Sequence, residues 1–154
     1  MSHKIDTLIK ELITKTSFHV EDIVVSYDED TESTWYAIKT SESRFFIGRD
    51  GETLMALNHL VKRLIEKNSE LENIPQYIID VDDFQKRKID NLKAIAHMMS
   101  ERARYFKSTI EIDPMSPYDR KIIHSFLQKK TDLKTESVGE GRERRVTIKY
   151  VGEI

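Results

Sequence analysis

Two short stretches of this 154-residue chain place chemically capable residues at close, fixed spacing. The first is Phe45-Phe46-Ile47-Gly48-Arg49-Asp50-Gly51-Glu52-Thr53-Leu54. Its Gly-x-x-Gly lets the backbone turn sharply and approach a partner, because neither glycine carries a Cβ. The helix predicted to follow turns its first N–H groups and positive dipole end toward that turn. A phosphate can rest at such a place, and Arg49 would add a charge-assisted contact. Ile47 and Leu54 would rim an apolar groove beside it. The same spacing equally serves a plain helix-entry turn. The second stretch is Ser116-Pro117-Tyr118-Asp119-Arg120-Lys121-Ile122-Ile123-His124. On a helix, Arg120 and His124 form an i, i+4 pair roughly 40° apart, on a flank away from the apolar residues. A ligand could reach both there. The bland alternatives are an ion pair of Arg120 with Asp119 or Glu136, and a solvated His124. Downstream lie Arg142, Arg144, Arg145 and Lys149. Arg145, Thr147 and Lys149 share one strand face, so a basic strand face beside a basic helix flank is expected as a phosphate track.

Other chemistries find little support. The chain has no cysteine, which excludes disulfides, thiolate zinc sites and thiol catalysis. His3, His19, His59 and His97 show no metal-ligand spacing, and no partnered carboxylate motif or nucleophile elbow accompanies His124. Gly139-Glu140-Gly141 lacks the third glycine and the following helix of a dinucleotide fingerprint. The expectation is a non-enzyme without metal or cofactor. No apolar run has the length of a membrane span, and the N-terminus is not a signal peptide. A soluble cytoplasmic protein is therefore expected.

The elements that must position these residues follow from periodicity. Ile5, Leu8, Ile9, Leu12 and Ile13 predict a helix over 3–16. Val20 to Tyr27 and Trp35 to Thr40 predict two strands around an acidic turn at 28–32, with the lone Trp35 packing in the core or the hairpin. A short helical approach over 42–47 leads to the glycine turn. Leu54, Leu57, Val61, Leu64 and Ile65 predict a helix over 52–67. A polar connection over 69–75 precedes a strand over 77–82. The first part thus reads α-β-β-α-α-β. A long helix starts at Phe84, with Leu92, Ile95, Ala96, Met99, Ala103 and Phe106 as its apolar stripe. A short strand follows at 109–112. Ser116 as N-cap, Pro117 at the first position and Asp119 in a short capping box open the next helix, whose apolar face is Tyr118, Ile122, Ile123, Phe126 and Leu127. Strands over 132–138 and 143–150 close the chain.

With 38% hydrophobic and 34% charged residues, the composition is that of a globular protein with a charged surface. The net charge of −2 hides an asymmetry. Residues 1–83 hold 9 Lys and Arg against 17 Asp and Glu, a net of −8, and residues 84–154 hold 16 against 10, a net of +6. Two modules of opposite sign, 1–83 and 84–154, are the simplest account.

The residues then add up to a resemblance. Ile47 to Leu57 resembles the GXXG loop and following helix of a type II KH-like domain. Met115 to His124 resembles the signature of an R3H domain, named for its Arg-x-x-x-His, and Glu136 to Val146 is similar to the way that domain ends. KH followed by R3H, from about Ile5 to Tyr150, resembles the bacterial Jag/KhpB (SpoIIIJ-associated) family. The resemblance implies an α+β fold: a type II KH-like module at 1–83, then a small R3H α/β module at 84–154 whose long basic helix, 84–106, serves as connector and first element. It implies binding of single-stranded RNA, or single-stranded DNA, in the bacterial cytoplasm, with roles in post-transcriptional regulation and cell elongation or division. It also implies a small single-KH protein partner. Gly48, Arg49, Asp50 and Gly51 would form the clamp. Arg120 would contact a phosphate, and His124 would stack on or hydrogen-bond a base or sugar. The sequence departs from the family in two ways. It is read as starting directly at the KH helix, where many members carry a further N-terminal domain, and Asp50 makes the clamp less basic than its relatives' loops. The alternative is a protein-interaction module that docks a KH partner or a ribosomal protein.

Overall fold

The computed structural model describes residues 2–29, 32–68 and 76–152, without the side chains of 2–4 and 68. Residues 30–31 of the acidic turn predicted at 28–32, and the connection at 69–75, therefore lie outside the described residues. The chain divides into two compact units, Met1–Gln85 and Lys86–Ile154. Each mixes helices with a three-stranded sheet, so the fold is α+β.

The first unit runs α1 (Ser2–Lys15), β1 (Asp22–Asp28), β2 (Ser33–Lys39), α2 (Ser43–Ile47), a 3-10 turn (Arg49–Gly51), α3 (Glu52–Asn68) and β3 (Gln76–Val81). This is the α-β-β-α-α-β order the periodicity predicts. β1 and β2 are antiparallel, whereas β2 and β3 are parallel. A parallel pair requires a crossover, and α2 and α3 lie within it. The register puts Tyr36, Ile38, Ile79 and Val81 on one face, where Ile9, Ile13, Phe46, Leu54, Val61 and Ile65 cover them. Trp35 alternates with these residues and faces the other way, half-buried between its cross-strand partners Ser26 and Ile78. Its role is hairpin-side packing, not core.

α3 is fastened to the β3 edge by Asn58. Its amide nitrogen donates to the Ile79 carbonyl at 2.9 Å and to Leu54 O at 3.0 Å, and its oxygen accepts from Ile79 N at 2.9 Å. One side chain thus satisfies both backbone groups that Ile79 turns away from β2, which removes an unpaired edge.

The second unit comprises most of α4 (Phe84–Phe106), then β4 (Thr109–Glu111), α5 (Pro117–Leu127), β5 (Leu133–Val138), a 3-10 turn (Gly141–Glu143) and β6 (Arg145–Tyr150). The sheet is antiparallel with β6 in the middle. Its inner face carries Ile110, Leu133, Val146 and Ile148, packed with Leu92, Ala96 and Ala103 of α4 and Ile123 and Leu127 of α5.

Two residues leave the stripes predicted for them. Phe106 is 61% exposed. The helix closes there: Ser108 N bonds back to Ala103 O at 3.2 Å and Lys107 takes a left-handed φ of 48°. Phe106 falls in this last turn, outside the packed face, and Ser100 is buried on the preceding turns instead. Tyr118 is 37% exposed. The buried row of α5 is Asp119, Ile123 and Leu127, and Tyr118 lies one residue, about 100°, away from it. Asp119 can occupy that row because Lys88 Nζ of α4 sits 3.2 Å from its carboxylate.

Candidate nucleic-acid interface

The glycine turn is built from left-handed backbone. Gly48 has φ 72°, Asp50 φ 52° and Gly51 φ 84°. Both glycines are required by their surroundings as well as their dihedrals. A Cβ on Gly48 would collide with the Thr53 hydroxyl, and one on Gly51 would stand 2.8 Å from Phe84 Cε1. Gly48 N donates to Arg44 O at 3.0 Å, which joins the turn to the end of α2. Arg49 and Asp50 are both exposed at its tip, so the cation comes with a compensating acid. Ile47 is half-buried and Leu54 is buried at 1%. Leu54 is therefore part of the core below the turn, and Ile47 is the apolar rim.

The second site forms where α5 meets β5. Ser116 caps α5 by accepting from Asp119 N at 3.2 Å, with Pro117 at the first helical position, as the sequence predicts. The cap fixes the start of the helix, and burial of Asp119, Ile123 and Leu127 leaves Arg120 and His124 on the side where Thr135 and Ser137 of β5 lie. Arg120 Nη1 donates to Met115 O at 2.8 Å, which braces the guanidinium. Neither expected carboxylate holds it: Asp119 faces Lys88, and Glu136 pairs with Lys134 at 3.1 Å.

His124 is not a solvated side chain. Its Nδ1 lies 2.7 Å from Thr135 Oγ1 and its Nε2 lies 2.8 Å from Ser137 Oγ. Burial, and then the neighbouring Arg120 charge, push its pKa below the ordinary 6.5. The imidazole is thus held neutral near pH 7, one nitrogen donating and the other accepting, with the two hydroxyls supplying the complementary roles. Thr135 and Ser137 share a strand face with Leu133, so they sit on the inner side of the sheet where α5 can reach them. Ser137 lies in the Glu136 to Val146 stretch that resembles the end of an R3H domain, whereas the one signal for Thr135 in the sequence is its even spacing from a core leucine.

An open pocket of about 400 Å³ lies over this junction. Arg120, Lys121, His124, Thr135, Ser137 and Arg144 contribute to its wall, and no carboxylate does. Arg144 also donates to Gly139 O at 3.3 Å, which holds it beside the hairpin turn.

The remaining basic residues do not join this wall. Register places Arg145, Thr147 and Lys149 on the outer sheet face with Glu111, Lys134 and Glu136, opposite the face that packs on α5. Arg145 there pairs with Glu111 at 3.4 Å and Glu143 at 3.3 Å. Thr147 is 9% exposed and donates to Glu136 O. The strand face expected to continue the helix flank is thus turned away from it and largely neutralised. Lys149 and Arg142 are exposed. Among the described residues, no three potential metal-ligating side chains come together, and no helix is long and apolar enough to cross a membrane.

Comparison with known proteins fits this geometry. Residues 90–150 match the R3H domain family, a span that contains α5, β5 and the whole pocket. The chain is 31% identical over 127 residues to the RNA-binding protein KhpB of Clostridium symbiosum, covering 82% of this chain and 56% of that protein. It is 26% identical over 129 residues to the RNA-binding protein KhpB of Bacillus subtilis, covering 82% and 61%. With the RNA-binding protein KhpB of Lactiplantibacillus plantarum the identity is 26% over 147 residues, covering 93% and 45%. The chain thus spans about half the length of the curated relatives it matches.

Proposed function

Because this chain carries an R3H domain and is homologous to the KhpB (Jag) proteins over most of its length, we propose that it binds single-stranded RNA and is not an enzyme. The observation that carries the reading is the α5–β5 pocket, where Arg120, Lys121 and Arg144 face one opening with no carboxylate among the lining residues. Such a wall attracts phosphate oxygens, and the neutral His124 ring, whose two nitrogens are taken by Thr135 and Ser137, offers its face for stacking on a base. The first unit acts as a KH-like clamp: Gly48, Gly51 and Arg49 hold backbone beside the α3 N-terminus. Arg142 and Lys149 add long-range attraction. The protein works in the bacterial cytoplasm as a post-transcriptional regulator linked to cell elongation or division.

The test is polarisation of a labelled single-stranded RNA across a salt series. Arg120→Ala and Arg144→Ala should each weaken binding and lower the magnitude of the salt slope by about 0.7 for each phosphate no longer neutralised. Arg145→Ala should matter less, because Glu111 and Glu143 already occupy that guanidinium. No binding at low salt, or equal losses at 120 and 145, would overturn the assignment. A second reading, a docking module for a small single-KH protein, draws on the edge strand β1, where Val24, Val25 and Tyr27 are 46%, 41% and 63% exposed. A complex that survives RNase and is lost in Val25→Lys would support it.

A further inference from the structure

Beside the glycine turn, three phenylalanine rings form a graded stack that the phosphate-binding reading does not use. Phe46 is core, 3% exposed. Phe18 meets it edge-on, with ring centroids 5.1 Å apart and planes at 64°. Phe45 lies flat on Phe18, with centroids 5.6 Å apart and planes only 6° from parallel. Exposure rises outward, from 37% at Phe18 to 58% at Phe45. The Phe45 ring thus runs parallel to and offset from Phe18, which supports it on one side, and more than half of it remains exposed.

The backing is held in place. The Phe18 segment follows Ser17, which has a left-handed φ of 62°. His19 N donates to Glu42 Oε2 at 2.6 Å, Thr40 Oγ1 donates to His19 O, and Glu21 N donates to Lys39 O at 2.8 Å. These bonds fasten the loop after α1 to the chain entering α2. The rings therefore meet without a search when something binds.

Position identifies the occupant. Phe45 is three residues before Gly48, about 4.5 Å of helical rise. The carbonyl of its neighbour Arg44 accepts the Gly48 N–H bond, and the Arg44 and Arg49 side chains lie on either side of Phe45 in the chain. A flat, exposed aromatic ring at the entry to a phosphate-binding turn suits a flat π-system on a phosphate chain. An apolar peptide side chain would gain more from a concavity than from a flat ring.

We propose that Phe45, backed by Phe18, is a stacking platform for one unpaired base of the strand whose backbone rests at Gly48–Gly51. This rests on the RNA-binding reading and adds a site to it. Stacking of this kind tolerates any base, so the platform contributes affinity without sequence preference.

The experiment uses the full chain with a single-stranded RNA carrying 2-aminopurine at successive positions. In wild type, fluorescence at one position should be quenched on binding. Phe45→Leu keeps an apolar side chain and removes the π-face; it should weaken binding about fivefold or more and abolish the quench. Phe18→Leu should reduce both effects, and Phe45→Trp should preserve them. Melting temperature should hardly change in Phe45→Leu, since the ring is more than half exposed. Undiminished affinity in Phe45→Leu would overturn the platform and leave RNA binding standing. Absence of wild-type binding at low salt would overturn both. Quenching that persists in Phe45→Leu would place the base elsewhere and overturn the platform as well.

Discussion

Replacing Gly51 with alanine tests the construction of the glycine turn. Two separate costs arise. The residue holds φ 84°, and a left-handed conformation costs an L-residue roughly 1–2 kcal/mol. The new Cβ would also stand 2.8 Å from Phe84 Cε1, closer than van der Waals separation, and such overpacking costs typically about 1–3 kcal/mol. Together they predict a destabilisation of about 2–5 kcal/mol, a large part of the ~5–15 kcal/mol that stabilises an ordinary domain. Urea unfolding followed by Trp35 fluorescence reads the first unit, since the sole tryptophan lies on β2. At an m-value of about 1.5 kcal/mol/M, the midpoint should fall by roughly 1–3 M. A double-mutant cycle separates the two costs. In a Phe84→Ala background the steric part disappears, and Gly51→Ala should then cost only the ~1–2 kcal/mol of backbone strain. Equal costs in both backgrounds would refute the claim that Phe84 enforces this glycine.

Two further outcomes follow from single side chains. Because the folded-state pKa of His124 lies below the ordinary 6.5, the unfolded chain binds the extra proton first; stability should be complete above pH 6.5, fall as pH drops below it, and level off under the folded-state pKa. His124→Gln should flatten that part of the stability–pH curve, and an unchanged slope in calorimetric melts would contradict the burial of the ring. Asn58→Ala leaves both backbone groups of Ile79 unpaired in a fully buried residue and should cost about 2–4 kcal/mol by urea titration, whereas a cost under about 1 kcal/mol would mean water replaces the amide.

What was legible in the sequence depended on local rules. The element order of the first unit follows from apolar periods of 3.6 and 2, and the α5 start follows from Ser116 and Pro117 as cap chemistry. What was not legible depended on neighbours distant in sequence. Tyr118 has the right residue type for a core row, but Lys88, on a different helix, admits Asp119 in its place. Asn58 reads as one polar residue on a helix until β3 is beside it. His124 is on a polar flank by helical arithmetic, and that arithmetic cannot say that Thr135 and Ser137 are waiting there.

The same limit explains the basic track. Sequence spacing assigns Arg145 and Lys149 to one strand face and Arg120 to one helix flank, and both assignments hold locally. Whether the two faces meet is decided by which side of the sheet the helix packs on. Val146 and Ile148 are the fully buried residues of β6, so α5 must lie on their side, and Arg145 and Lys149 must point away. Arg144, one residue before the strand, escapes this alternation and reaches the pocket. Under the proposed function, the affinity of the second unit should therefore follow Arg120 and Arg144. The exposed Lys149 should contribute only a screened, long-range attraction that fades within a Debye length of about 8 Å at physiological salt. Raising salt should erase the effect of Lys149→Ala well before it erases that of Arg120→Ala. If both effects fade together, the strand touches both faces of the sheet and the pocket is not where most of the affinity resides.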